Sequence, residues 1–205
     1  STMTFLPRAA DHTPRSLSID YPRGTSPVTI NEFLASNQTG IKDQQGERED
    51  WLELFNTAYT PVDISGHWLT DNLATPKKWA LPANTVLPPR GALLIWADNE
   101  PAEGPLHATF KLSASGEAIA LFAPDGVTKL DDHGFGPQVP DVSSGRIFDG
   151  LRPWVTWPFG STPNQSNGPA PCGYRFYSAA DSMSHSLSLL ATGNPKLGSS
   201  VTWQI

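Results

Sequence analysis

Two glutamates hold the positions from which this sequence could do chemistry. Glu32 stands in "INEFLAS" and Glu53 in "DWLELFN". With the two-residue period of a strand, Ile30, Glu32 and Leu34 share one face, and Trp51, Glu53 and Phe55 share another. A pair of carboxylates on apolar strand faces, set across a cleft, is the equipment of a glycosidase, one acting as acid and the other as nucleophile or base. Without a cleft, each carboxylate has to accept hydrogen bonds from neighbouring backbone, Trp or Ser donors, because a buried charge is costly unless so satisfied. The structural role is the one expected, and hydrolysis by Glu32 and Glu53 is the alternative.

A second candidate is the acidic loop "DQQGERED", in which Asp43, Gln45, Glu47, Glu49 and Asp50 surround the turn-forming Gly46. Hard oxygen ligands on one loop suit Ca²⁺. The spacing departs from the EF-hand pattern, so a solvated acidic turn is the simpler expectation and no cofactor is assigned. His12, His67, His107, His133 and His185 are scattered, with no HxH or HExxH pair. "DDHGFG" reads as a strand end, because Asp132 and His133, as neighbours, would point to opposite faces. Cys172, the single cysteine, has no partner for an internal disulfide and no histidine nearby, so nucleophilic catalysis lacks support. Trp51, Trp68, Trp79 and Trp96 read as core residues. Trp154, Trp157 and Phe159 lie in the Pro-flanked "RPWVTWPF" and are the candidate exposed aromatics of a binding surface, with core or edge packing the simpler expectation.

The elements that must position these residues are short strands. Twenty prolines and 17 glycines in 205 residues leave little uninterrupted helix-forming sequence. The runs "VTINEFLAS", "WLELFNT", "GHWLTD", "KKWALP", "GALLIWAD", "EAIALFAPDG" and "VTKLDD" alternate or are β-rich, and nearly all are bounded by Gly, Pro, Asn or Asp. The pattern predicts an all-β antiparallel sandwich or barrel from Val28 onward, a tether over 1–27, and a linker with a C-terminal β extension or truncated second module over 168–205. A formal charge of −6 argues against a general nucleic-acid surface. No stretch is apolar enough to span a bilayer as a helix. The start at "ST" before Met3 and the abrupt end at Ile205 read as those of a piece of a longer chain.

Seven segments in order, "INEFLASN", "DWLELFN", "ISGHWLTD", "KWALP", "LPPRGALLIWA", "HATFKLSASGEAIALFAPDG" and "DVSSGRIFDG", followed by "FGSTPNQSN", resemble the lamin tail domain. That resemblance implies an immunoglobulin-like antiparallel β-sandwich over 28–167. Its structural signature here would be Asn31, Glu32, Asp50, Trp51, Glu53, Asn56, Gly66, Asp71, Trp79, Gly145 and Arg146. It also implies a non-enzymatic accessory, scaffold or binding module of a bacterial secreted or cell-surface protein, with a protein or glycan partner. The final segment from Cys172 resembles the terminal β modules of secreted bacterial proteins.

Overall fold

A computed structural model describes residues 26–157 and 160–167 with their side chains, and five further strands, at 2–5, 17–20, 174–181, 184–191 and 201–204, by their backbone alone. In chain order the strands are β1 (Thr2–Phe5), β2 (Leu17–Asp20), β3 (Val28–Leu34), β4 (Trp51–Asn56), β5 (Val62–Asp63), β6 (Trp68–Thr70), β7 (Trp79–Ala80) and β8 (Val86–Leu87). They continue with β9 (Ala92–Trp96), β10 (Glu117–Phe122), β11 (Lys129–Phe135), β12 (Ser143–Phe148), β13 (Leu151–Trp157), β14 (Tyr174–Asp181), β15 (Ser184–Ala191) and β16 (Val201–Gln204). No helix is among the described residues, and hence none long and apolar enough to cross a membrane.

Two antiparallel sheets, ordered β13-β12-β3-β4-β9 and β11-β10-β6-β7, share one core. The five-stranded sheet contributes Ile30, Phe33, Leu52, Leu54 and Ile95, the four-stranded sheet Leu69, Trp79, Ile119 and Leu121, β8 Leu87, and the loops Ile64, Leu81 and Phe110. This is the immunoglobulin-like sandwich expected. The ribbon β5-β8 forms inside segments whose prolines and glycine read as turns, "NTAYTPVDISG" and "VLPPRG". In the expected tether, β1 pairs with β2, and in the expected extension β14, β15 and β16 form an antiparallel sheet.

Every residue of β3 and β4 is buried, although antiparallel strands commonly leave one face in water. Leu52 and Leu54 of β4 face the core. On its outer face, Trp51 packs with Leu34 and Trp96 beneath Ile41 and Leu94. Phe55 lies under the Arg90 guanidinium, 4.7 Å from its ring centre. Glu53 lies between these two apolar covers and has a polar cover of its own.

The phase expected for β3 is corrected by a bulge. Ile30 pairs with Leu54 but Glu32 pairs with Glu53, so Asn31 is the extra residue and the side-chain alternation changes hand there. Ile30 therefore faces the core, while Asn31, Glu32 and Leu34 lie on the outer face. The strand end expected at "DDHGFG" falls at Phe135, where β11 stops. Asp131 and His133 consequently share its inner face, where Asp131 meets Arg146 and His133 meets Trp154.

Candidate functional site

The bulge makes Glu32 and Glu53 direct cross-strand neighbours on the outer face of the five-stranded sheet, both fully buried. Their cover is the segment "STPNQSN", residues 161–167. It is built on a turn in which Gln165 N–H donates to Thr162 C=O at 2.9 Å, with Pro163 and Asn164 at the centre. Proline presets its own φ, and Asn164 takes the left-handed conformation at φ 58°, as the third residue of a type II turn requires. The turn aims backbone donors inward: Thr162 N–H at Glu32 Oε1, 3.0 Å away, and Asn164 N–H at Glu53 Oε2, 2.7 Å away.

Asn31 ties the strands to this segment. Its Nδ2 donates to Glu53 Oε1 and to Asp149 Oδ1, each at 3.0 Å, and its Oδ1 accepts from Gly150 N–H. Asp149 and Gly150 form the two-residue connection between β12 and β13. Asp149 also accepts from Asn167 N–H at 2.7 Å and from Ser166 Oγ–H. The Asn167 amide then donates to Asn31 C=O and Arg146 C=O at 3.1 and 3.0 Å. A Cβ on Gly145 would lie 3.0 Å from Asn167 Nδ2, Glu32 Cγ and Trp157 Nε1 at once, so the glycine makes room for this packing.

Proton counting in this seam has a consequence. Thr162 Oγ contacts Glu32 Oε2 at 2.5 Å and Asn167 Oδ1 at 2.8 Å, and both are acceptors when Glu32 is ionised. A hydroxyl has one proton, whereas a protonated Glu32 supplies the second and satisfies both contacts. Burial acts in the same direction: it raises the Glu32 carboxyl above its ordinary value, against the opposing bonds from Thr162. Burial also raises Glu53 to about 7, against the Asn31 and Asn164 donors and reinforced by Glu32 and Asp149. Two adjacent carboxylates removed from water favour keeping a proton between them.

Arg146, on β12, is a fully buried cation beside the seam. Its Nη2 donates to Asp131 Oδ2 at 2.6 Å, across to the other sheet, and its Nε donates to Ile30 C=O at 2.7 Å. Asp131 Oδ2 also accepts from Ile30 N–H. The aromatic segment, a candidate for exposure, packs against the domain here. Trp154 is half-buried and stacks on His133 with centroids 3.8 Å apart and planes 10° from parallel, with Arg146 over its ring. Trp157 is also half-buried, and Phe159 lies outside the described residues. Burial, then Arg146 and Arg152, pushes His133 down to about 4. Of the four tryptophans read as core, Trp79 is in the core between the sheets, Trp51 and Trp96 are buried on the outer face, and Trp68 is half-buried with its Nε1–H on Pro124 C=O.

The acidic loop does not converge on one point. Asp50 Oδ1 accepts from Ser36 and Asn37 N–H, and Glu49 pairs with Lys111 at 3.1 Å. Gln45 Nε2–H reaches Glu103 C=O. Asp43 instead joins Asp98, Glu103 and His107 of the connection after β9, with ligand atoms all within 4.8 Å of one another. The candidate calcium set Asp43, Gln45, Glu47, Glu49 and Asp50 is thus divided: Asp43 lies in that cluster, Glu47 and Glu49 lie beside Glu100, and Asp50 and Gln45 are bonded elsewhere.

The remaining signature residues hold turns and pairs. Asn56 Nδ2 donates to Thr60 and Pro88 C=O, Gly66 turns at φ 69°, and Asp71 pairs with Lys78 at 2.5 Å. Sequence reasoning missed the donors to Glu32 and Glu53, which arrive from 130 and 111 residues away. Its available signal was the turn-forming "TPN" beside the polar Ser and Asn of the same segment. His12 and Cys172 lie outside the described residues, and His185 is described by its backbone only.

No curated protein and no solved structure matches this chain. The family model described as the lamin tail domain matches residues 22–137, which include β3 to β11, Glu32, Glu53 and the cluster of Asp43, Asp98, Glu103 and His107. With more than half its length matched, the chain belongs to the lamin tail domain family, whose module is immunoglobulin-like and non-catalytic.

Proposed function

We propose that this domain is a non-catalytic binding and scaffold module of a larger secreted or cell-surface protein, meeting a protein or glycan through loops at the ends of its sandwich. The observation that carries this reading is how Glu32 and Glu53 are used. Both are fully buried, and their oxygens accept hydrogen bonds from Asn31, Thr162 and Asn164. A glycosidase pair needs a sugar between the two carboxyl groups. Here they are adjacent residues of paired strands beneath a closed cover, which weighs against the hydrolase alternative.

A surface suited to recognition lies at the end of the sandwich where β4 leaves and β9 enters. Tyr59 is 84% exposed, and the Arg90 guanidinium lies between its ring and that of Phe55, 5.8 and 4.7 Å from their centres. A flat ring backed by a guanidinium suits the face of a sugar or an aromatic peptide side chain. The net charge of −6 favours neither DNA nor RNA as the partner.

The test compares the chain with its Tyr59→Ala and Arg90→Ala variants on a glycan array and against immobilised proteins of the source cell envelope. Binding that both substitutions reduce supports the reading. Binding that neither changes removes this surface from it, and turnover of a glycoside lost in Glu53→Gln would replace the reading with the hydrolase.

A further inference from the structure

At the opposite end of the sandwich, the loop between β3 and β4 meets the connection after β9. Asp98 is fully buried, the His107 side chain is 4% exposed, and His107 Nδ1 contacts Asp98 Oδ2. Asp43 Oδ2 and Glu103 Oε2 are shielded from solvent yet have no hydrogen-bond donor. Glu103 Oε2 lies 3.9 Å from His107 Nδ1. Shielded oxygens without a donor are uncommon and costly, and each calls for a positive partner.

The surroundings orient these groups as ligands. Asp98 Oδ1 accepts from Glu100 N–H at 2.9 Å and Asp43 Oδ1 from Glu47 N–H at 2.8 Å, so each carboxylate is held by one oxygen and presents the other. The His107 ring is stacked on Trp96, and a Cβ on Gly104 would lie 3.1 Å from its Cδ2. Gln45 ties the two loops together through Glu103 C=O at 3.1 Å. Supporting bonds of this kind fix ligand geometry at metal centres.

We propose that Asp43, Asp98, Glu103 and His107 bind one divalent transition-metal ion, of the Mn²⁺ or Zn²⁺ class, which joins the two loops. An ion with ligands at about 2.0–2.2 Å spans at most about 4.4 Å between them. The four ligand atoms lie within 4.8 Å of one another, so closure draws the widest pair together by a few tenths of an ångström and parts His107 Nδ1 from Asp98 Oδ2, whose hydrogen-bond contact is closer than two ligands of one ion sit. Three carboxylates and one imidazole suit Mn²⁺ or Zn²⁺; Ca²⁺ takes six to eight oxygens, and a nitrogen is foreign to it. Binding requires the Nδ1 lone pair to face the ion, so His107 carries its proton on Nε2 and any proton between Nδ1 and Asp98 leaves to solvent.

The test uses the full 205-residue chain, stripped with EDTA and dialysed against Mn²⁺, Zn²⁺ or Ca²⁺. Elemental analysis is expected to find one Mn²⁺ or Zn²⁺ per chain, with a rise in Tm. The double variant Asp43→Asn, Glu103→Gln changes no strand residue and is expected to weaken binding by more than about tenfold. Glu47→Gln, outside the four ligands, should bind as the parent does. No retained metal, retention of Ca²⁺ alone, equal binding by the double variant, or loss of binding in Glu47→Gln would each overturn the proposal. None of these readouts depends on the glycan or protein partner.

Discussion

The domain holds two groups of converging carboxylates, and they are finished differently. In the seam beneath 161–167, Glu32, Glu53 and Asp149 accept from Thr162, Asn164, Asn31, Ser166 and Asn167, so their oxygens are used within the fold. At the far end, Asp43 and Glu103 each retain a shielded oxygen without a donor. Clustering and burial alone therefore do not identify a site. What separates architecture from chemistry is whether the donors are already supplied, because a satisfied carboxylate stabilises while an unsatisfied one needs a ligand or a proton.

The largest effect that would test this contrast is expected from Glu53→Ala. It leaves one N–H of the Asn31 side chain and the Asn164 N–H unpaired over a new void and should cost about 2–4 kcal/mol in urea unfolding. An unchanged midpoint would place Glu53 outside the seam's support.

Next comes pH. The folded value of Glu53, about 7, lies above its ordinary value near 4.5, so its contribution is fully present below about pH 4.5 and is lost as pH rises through about 7. Glu32 acts in the same sense. His133 opposes them: held down at about 4, it contributes stability above about pH 6.5 that is lost as pH falls towards 4. The Glu53 effect is therefore read as the difference between the parent and Glu53→Gln from pH 5 to 8. That difference should shift against the parent as pH rises, and a constant difference would contradict the buried proton.

Gly145→Ala is expected to cost about 1–3 kcal/mol through overpacking against Asn167, Glu32 and Trp157. Thermal or urea unfolding measures it. The smallest effect should come from the other group. Glu103→Gln in metal-free buffer is expected to change stability by no more than about 0.5 kcal/mol, since it breaks no hydrogen bond to the Glu103 side chain. A loss as large as that of Glu53→Ala would erase the contrast.

The strands were legible because alternation and turn residues are local signals, and "WLELFN" and "EAIALF" show them plainly. The phase of "VTINEFL" was not. The bulge at Asn31 is stabilised by Glu53, Asp149 and Gly150, groups 22, 118 and 119 residues away. β13 was hidden by Pro153 and by a turn-rich neighbourhood, conditions an edge strand tolerates. That Glu53 needed donors was readable from its apolar neighbours, but their identity depended on the chain's return at 162–167. In the far cluster, Asp98, Glu103 and His107 fall within "ADNEPAEGPLH", whose spacing matches no motif, and only the fold adds Asp43.

The account rests on the closing segment being bonded to the strand carboxylates, and amide hydrogen exchange at Thr162 and Asn164 tests it most directly. Their N–H groups donate to Glu32 and Glu53 at 3.0 and 2.7 Å. Both amides are expected to exchange slowly in the parent chain and to lose protection selectively, Thr162 in Glu32→Ala and Asn164 in Glu53→Ala. Exchange in the parent at the rate of an unstructured peptide would contradict the account, because the two carboxylates would then face an open groove.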